Sequence, residues 1–339
     1  MRIGILTAGG DCPGLNSAIR AVGKAAILEY GMEAIGISSG FLGLINKDVI
    51  ELNENDLSGI LTLGGTILRT SREKPFSLNT DLPSDKPALI KKNYKEIGLD
   101  CLICIGGNGT MKTAYQLYKE GMNVIGIPKT IDNDVWGTDV SFGFHSAVDI
   151  ATEAIDRIHT TANSHKRTMV IEVMGHSTGW LALYSGIAGG GDIILIPEIP
   201  YNLDSIAKTI IKRYEDKKPY SIIVVAEGIE SPKPKKSRGQ YIAKNIMEMT
   251  GIETRETILG YVQRGGSPSA YDRIISTRLG AAAVELASKK KYGVMVALHA
   301  WKAVPVPLSQ VAGKIKTVPV NDPLIVKGRL IGVSFGDEQ

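Results

Sequence analysis

Seven consecutive residues, Pro128-Lys129-Thr130-Ile131-Asp132-Asn133-Asp134, hold two carboxylates, a hydroxyl and an ammonium. They follow directly on an apolar run at residues 123–127. A strand that ends in such a cluster delivers charged groups to the rim of a parallel sheet, where open α/β folds bind ligands. The chemistry such a set suits is group transfer, with a carboxylate as base, a second near a hydrated metal and the lysine as counter-charge for phosphate. A polar turn capping the next helix would use the same residue types, so the cluster by itself leaves both readings open.

Glycine turns supply the second signal. Gly9-Gly10-Asp11-Cys12-Pro13-Gly14-Leu15-Asn16 follows the first apolar run and opens a helical pattern. Glycine there lets backbone N–H groups approach an anion, and the helix N-terminus adds partial positive charge. A second turn is Gly106-Gly107-Asn108-Gly109-Thr110, and a third, Gly64-Gly65-Thr66, leads into Arg69, Ser71 and Arg72. Two phosphate-grade turns with an arginine pair nearby favour a polyphosphate ligand. Neither has the Gly-Lys-Ser/Thr ending of a P-loop or the spacing of a dinucleotide fingerprint.

Strands of a particular kind must carry these turns. Apolar runs at 3–7, 34–37, 101–105, 124–127, 169–174, 193–196, 222–226 and 294–298 are continuous rather than alternating. Strands buried on both faces read this way. Amphipathic stretches at 17–28, 111–120, 145–159 and 204–214 lie between them. Repeated strand–helix units imply right-handed crossovers and a doubly wound α/β fold.

At 339 residues the chain exceeds the usual single-core size, so two lobes are expected. A net charge of +4 is too weak to argue for nucleic acid, and any positive potential must be local. No segment is long enough to span a bilayer, and the apolar start is too short for a signal peptide. A soluble, cytoplasmic protein is expected, with neither a nucleic-acid nor a membrane partner. Cys12, Cys101 and Cys104 make no disulfide framework. The Cys101/Cys104 spacing lacks the second pair that a metal site needs, so buried thiols are expected. The stretch 231–239, with Pro232, Pro234 and four basic residues, reads as a solvated loop.

Taken in order, these motifs, together with Glu-Val-Met-Gly (172–175) and Leu-Gly-Tyr-Val-Gln-Arg-Gly-Gly (259–266), resemble the 6-phosphofructokinase family. The resemblance covers almost the whole chain. It implies two Rossmann-like lobes with parallel-type sheets flanked by helices, the phosphofructokinase fold. Residues 1–143 plus 263–303 would bind the phosphoryl donor, and 144–262 plus 304–339 would bind fructose 6-phosphate. The reaction implied is transfer of the ATP γ-phosphate to the sugar 1-hydroxyl, giving fructose 1,6-bisphosphate, with Mg2+ as cofactor.

Carried over by motif, Asp132 is the general base, Thr130 hydrogen-bonds the sugar, and Asp134 holds the magnesium, with Asn108 beside it. Gly9, Arg72, Gly107, Asn108, Gly109 and Thr110 are the expected donor contacts. Arg167, which follows Ser164 in a Ser-His-Lys-Arg segment, is expected on the sugar 6-phosphate. Arg255 and Arg264 would complete the clamp, since bidentate guanidinium contacts suit a phosphate dianion. By the same resemblance Met174 and Gly175 would line the sugar pocket and Glu227 would accept its hydroxyls. The resemblance also implies that Arg167 and Arg255 reach a neighbouring subunit's site, in a homotetramer or homodimer.

The chain departs from the family pattern at several places. Gly109 leaves room for the α-phosphate of ATP, where a carboxylate would repel it. Lys129 stands where pyrophosphate users typically have lysine and bacterial ATP users glycine. The steric signal carries more weight, because an open cavity is required for ATP while a lysine assists either donor. ATP is therefore the expected donor and pyrophosphate the alternative. Asn108 replaces a familiar aspartate, and His176 stands where many members have an arginine, whose role Lys129 is expected to take. Tyr261 occupies a position that is often histidine, and its hydroxyl is expected at the 6-phosphate. Arg20 is retained, but Lys24, Leu63 and His159 replace the arginines of the regulated enzymes' effector site, so near-hyperbolic sugar kinetics are expected. A related glycine turn occurs in NAD and diacylglycerol kinases, but the three arginines favour a sugar phosphate. A non-catalytic sugar-phosphate-binding subunit is the remaining alternative.

Overall fold

A computed structural model of the chain describes residues 1–76, 85–232 and 237–338. Its strands are β1 (Arg2–Ala8), β2 (Glu33–Ile37), β3 (Val49–Leu52), β4 (Cys101–Gly106), β5 (Val124–Pro128), β6 (Thr168–Val173), β7 (Ile193–Leu195), β8 (Ser221–Ala226), β9 (Thr254–Ile258), β10 (Val294–His299) and β11 (Lys302–Pro307). The helices are α1 (Leu15–Lys24), α2 (Phe41–Asn46), α3 (Lys86–Glu96), α4 (Asn108–Lys119), α5 (Phe144–His165), α6 (Trp180–Ala188), α7 (Leu203–Glu215), α8 (Arg238–Thr250), α9 (Ala270–Ser288), α10 (Leu308–Val311) and α11 (Pro323–Leu330). The chain divides into two compact units, Met1–Ser146 with Arg264–Lys316, and Ala147–Gln263 with Thr317–Gln339.

The first unit holds a seven-stranded sheet in the order β11-β10-β5-β4-β1-β2-β3. Its central strands run parallel, with Ile3 opposite Cys101 and Ile103 opposite Ile125. Ile3, Ile5, Ile103, Ile105 and Ile125 are fully buried, as continuous apolar runs require, each contributing about 1.5–3 kcal/mol of burial. The sheet is not purely parallel. Both edge strands pair antiparallel with their neighbours, β3 with β2 and β11 with β10. The β10–β11 turn is the two-residue connection Ala300-Trp301, both at positive φ (45° and 67°), which matches the twist of a tight hairpin. That hairpin keeps residues 304–316 in the first unit, whereas the sequence reading assigned them to the second lobe.

The second unit holds a four-stranded parallel sheet, β7-β8-β6-β9. The expected strands at 169–174, 193–196 and 222–226 appear as β6, β7 and β8. Strands β3, β9 and β11 had no sequence signal because each is largely exposed and lacks a continuous apolar run. Of the stretch 231–239, residues 233–236 lie outside the described residues. Its end is not loop, for Ser237 caps α8 by accepting the Gln240 N–H at 3.1 Å. All three cysteines are free and buried. No helix among the described residues is long and apolar enough to cross a membrane.

Candidate active site

In the first unit three strand ends gather the expected chemistry. Strand β1 ends in the Gly9–Gly14 turn, β4 in Gly107, and β5 in the 128–134 segment. Helices α1 and α4 start at Gly14 and Gly107 with no side-chain cap, leaving their first N–H groups to meet an anion. Gly14 must be glycine, because its φ is 102° and an added Cβ would lie 2.8 Å from the Phe142 ring. Gly9 has both of its backbone groups engaged. Its N–H donates to Ser71 O at 2.9 Å, and Thr70 Oγ1 donates to Gly9 O at 2.7 Å, so it anchors the third glycine segment. Asn16 fixes the same segment from α1, donating to Leu63 O and Gly64 O and accepting the Ile67 N–H. Arg72 follows, exposed.

Thr110 is buried over Gly106, where an added Cβ would lie 2.2 Å from Thr110 Oγ1. Its hydroxyl approaches Ala8 O at 3.4 Å, so it packs the β1–β4 strand ends together. Gly109 is exposed, and an added Cβ there would meet nothing within 4 Å.

The 128–134 segment is tightly organised. Lys129 is buried at 3% exposure and donates through Nζ to Gly10 O, bridging the β5 and β1 ends. Burial pushes its ammonium below the usual lysine range, while Cys12, Asp132 and Asp11 pull it back up. Asp132 N–H donates to Thr130 Oγ1 at 3.0 Å, and Thr130 Oγ1 donates to Asp132 Oδ2 at 3.3 Å. The threonine thus orients the carboxylate through a local turn. Arg264 also belongs to this unit, and Gly10 makes room for it: an added Cβ would lie 2.9 Å from Arg264 Nη1.

Asn108 Nδ2 donates to Asp134 Oδ2 at 2.7 Å and to Asp134 O at 3.2 Å. Asn108 Oδ1 is buried without a hydrogen-bond partner among the described residues. A carboxylate beside an orphaned amide oxygen is a donor set of the kind that hard divalent cations take. Among the described residues no group of three His, Cys, Asp or Glu side chains could hold a metal, so phosphate oxygens and water would complete the shell.

In the second unit, Arg167 Nε and Arg255 Nη2 converge on one carboxylate, Glu253, at 2.8 and 2.9 Å. Hydrogen bonds from Arg167 and then Arg255 hold Glu253 below the usual carboxylate range. The Met174–His176 turn is pinned twice, by Gln263 Oε1 accepting the Met174 N–H at 3.3 Å and Glu227 Oε1 accepting the His176 N–H at 2.9 Å. Gly175 and His176 are both at positive φ, 143° and 52°. Glu227, expected to accept sugar hydroxyls, therefore has one oxygen committed to the backbone. Tyr261 is 74% exposed. His159 is engaged within the unit, bonding Tyr220 OH at 2.9 Å and Gly189 O at 2.6 Å.

The sequence model described as phosphofructokinase matches residues 2–287. The chain belongs to the phosphofructokinase family. It is 58% identical over 337 residues to the ATP-dependent 6-phosphofructokinase 3 of Bacteroides thetaiotaomicron, covering 99% of this chain and 100% of that one. It is 46% identical over 336 residues to the pyrophosphate–fructose 6-phosphate 1-phosphotransferase of Amycolatopsis mediterranei, covering 94% and 97%. Among solved structures, Pichia pastoris phosphofructokinase in the T-state superposes with a TM-score of 0.84 at 34% identity. That match covers 91% of this chain and 35% of the Pichia chain, so this chain spans about a third of that polypeptide.

In this phosphofructokinase two residues that hold the expected groups, one in each unit, had no motif to mark them. Glu253 lies just before β9 and two residues before Arg255, in a stretch with no apolar run to mark a strand, so nothing local would have found it. Lys316 lies in a segment with no pattern at all. It donates to Asn133 Oδ1 at 2.9 Å, and burial pushes its ammonium down to about 8, against the pull of Asp139 and Asp134.

Proposed function

We propose that the chain is a glycolytic ATP-dependent 6-phosphofructokinase of the cytoplasm, acting as a homo-oligomer. The observation that carries this reading is the Thr130–Asp132 pair at the end of β5, next to a buried lysine that reaches the Gly10 turn. A fixed carboxylate and a fixed cation at a strand rim suit phosphoryl transfer, which needs positioning and electrostatic stabilisation more than covalent help.

In the reaction, O1 of fructose 6-phosphate attacks the γ-phosphorus of ATP. As the new P–O bond forms, Asp132 takes the hydroxyl proton, and the bond to the β–γ bridging oxygen breaks to release ADP. General-base help of this kind is worth roughly 10²–10⁴ in rate. Lys129 faces the charge that gathers on the transferring group, and the uncapped start of α4 receives the donor phosphates. Gly109 keeps the space at that helix start open for the α-phosphate. Arg167 and Arg255 bind the sugar 6-phosphate, Tyr261 adds a hydroxyl, and Met174 and Gly175 shape the sugar pocket. Asn108 Oδ1 and Asp134 would hold Mg2+. When bound, the metal neutralises charge on the donor phosphates.

The test is to supply Mg-ATP and Mg-pyrophosphate separately with fructose 6-phosphate. Fructose 1,6-bisphosphate formed at least about tenfold faster from ATP supports the reading, a margin of ~1.4 kcal/mol. A preference for pyrophosphate overturns it.

A further inference from the structure

The loop bearing Asp132 and Asp134 is fastened from a distant part of the chain. At its base, Thr130 N–H donates to Phe142 O at 3.3 Å and Ser141 Oγ donates to Thr130 O at 3.1 Å. Between the two aspartates, Asn133 is buried and left-handed, with φ 52°. Asparagine enters that region more readily than most side chains, but something must hold it there. Its Oδ1 accepts from Ser141 N–H at 3.1 Å and from Lys316 Nζ at 2.9 Å.

Lys316 lies 183 residues further on. Its ammonium also donates to Thr138 O at 3.1 Å and Asp139 O at 2.8 Å, and its backbone N–H donates to Asp134 O at 2.8 Å. One residue earlier, Ile315 forms an antiparallel bridge with Val135. A lysine has three N–H donors, and here three different residues of one loop accept them.

We propose that Lys316 is a positioning residue for phosphoryl transfer: by locking Asn133 and the 138–139 turn, it fixes the directions in which Asp132 and Asp134 leave the chain. This rests on those two aspartates carrying the chemistry given above. Lys316 acts through the loop and not on the substrate. The burial of Asn133 keeps water from competing for the bond, so the fastening survives in solution. A reacting group displaced by as little as 1 Å loses about 10²-fold in rate, so a loosened loop is read mainly in turnover.

The test compares Lys316→Met, Lys316→Arg and Asn133→Gly with the wild type. Turnover and KM for fructose 6-phosphate are measured with Mg-ATP, and hydrogen exchange is followed in peptides spanning 130–141. Lys316→Met is expected to lower kcat by about 10- to 100-fold, leave KM within about threefold, and speed exchange in the loop. Lys316→Arg should recover part of the turnover. Asn133→Gly tolerates positive φ and leaves the 302–316 segment untouched, so it should reproduce the loss even where Lys316→Met folds poorly. Full turnover in folded Lys316→Met overturns the proposal, as does full turnover in Asn133→Gly. A wild type that makes no fructose 1,6-bisphosphate would defeat the functional reading instead, and unaltered exchange in Lys316→Met would separately defeat the fastening.

Discussion

Asn108 Nδ2 donates to Asp134 Oδ2 at 2.7 Å, and this bond turns the other end of the amide, Oδ1, into a buried oxygen with no partner among the described residues. An aspartate at 108 would place a second carboxylate against Asp134. Without magnesium the pair would repel, and the lost hydrogen bond should cost about 1–3 kcal/mol of stability. Magnesium would relieve the repulsion. Thermal unfolding of Asn108→Asp with and without MgCl2 should therefore show a lower midpoint than wild type in the absence of the ion and a larger gain on its addition. Equal gains in both proteins would remove Asn108 from the metal site.

The open surroundings of Gly109 allow a donor test that does not disturb the fold. Its φ is not in the left-handed region, and an added Cβ touches nothing within 4 Å. Gly109→Asp should unfold at the wild-type temperature. With ATP, kcat/KM should fall by at least about 10², because a carboxylate beside a phosphate costs several kcal/mol. Activity measured with pyrophosphate should fall much less. Equal losses with both donors would show that the space at Gly109 does not select between them.

Much of the first unit was legible in its sequence, and the reason is burial. Runs such as 3–7 and 101–105 are apolar throughout because β1 and β4 are covered on both faces. The glycine turns were equally readable, since Gly14 and Gly106 tolerate no side chain. Edge strand β9 was not readable, because its Arg255 and Glu256 are exposed and nothing in the local pattern shows what they pair with. Within the site, the motif at 128–134 named its own chemical groups. Lys316 was silent because its role comes from a tertiary contact with Asn133 and not from any local spacing.

Lys129 is the residue expected to stand in for the arginine that His176 replaces. Lys129→Met keeps most of the side-chain volume in this buried place but removes the charge. It should lower kcat by about 10²–10³, the usual loss for one stabilising donor, and leave KM for fructose 6-phosphate within about threefold. Steady-state kinetics decide the matter. Undiminished turnover would make Lys129 a structural bridge to Gly10 and nothing more.

The shared grip of Arg167 and Arg255 on Glu253 sets the two guanidinium groups side by side. If they serve a neighbouring subunit's site, then defects at Asp132 and Arg255 should complement. Asp132→Ser and Arg255→Ala proteins, each weakly active alone, are mixed after dissociation and reassembled. Hybrids in which one site has both wild-type residues should regain a substantial fraction of activity. Mixtures no more active than the sum of the parents would place Arg255 in the site of its own chain.

The most direct measurement is turnover of Asp132→Ser with saturating Mg-ATP and fructose 6-phosphate, on protein shown by circular dichroism and thermal unfolding to be folded. Loss of the general base should lower kcat by roughly 10²–10⁴, with sugar affinity largely kept. A folded Asp132→Ser enzyme turning over at the wild-type rate would contradict the assignment of Asp132 as the base.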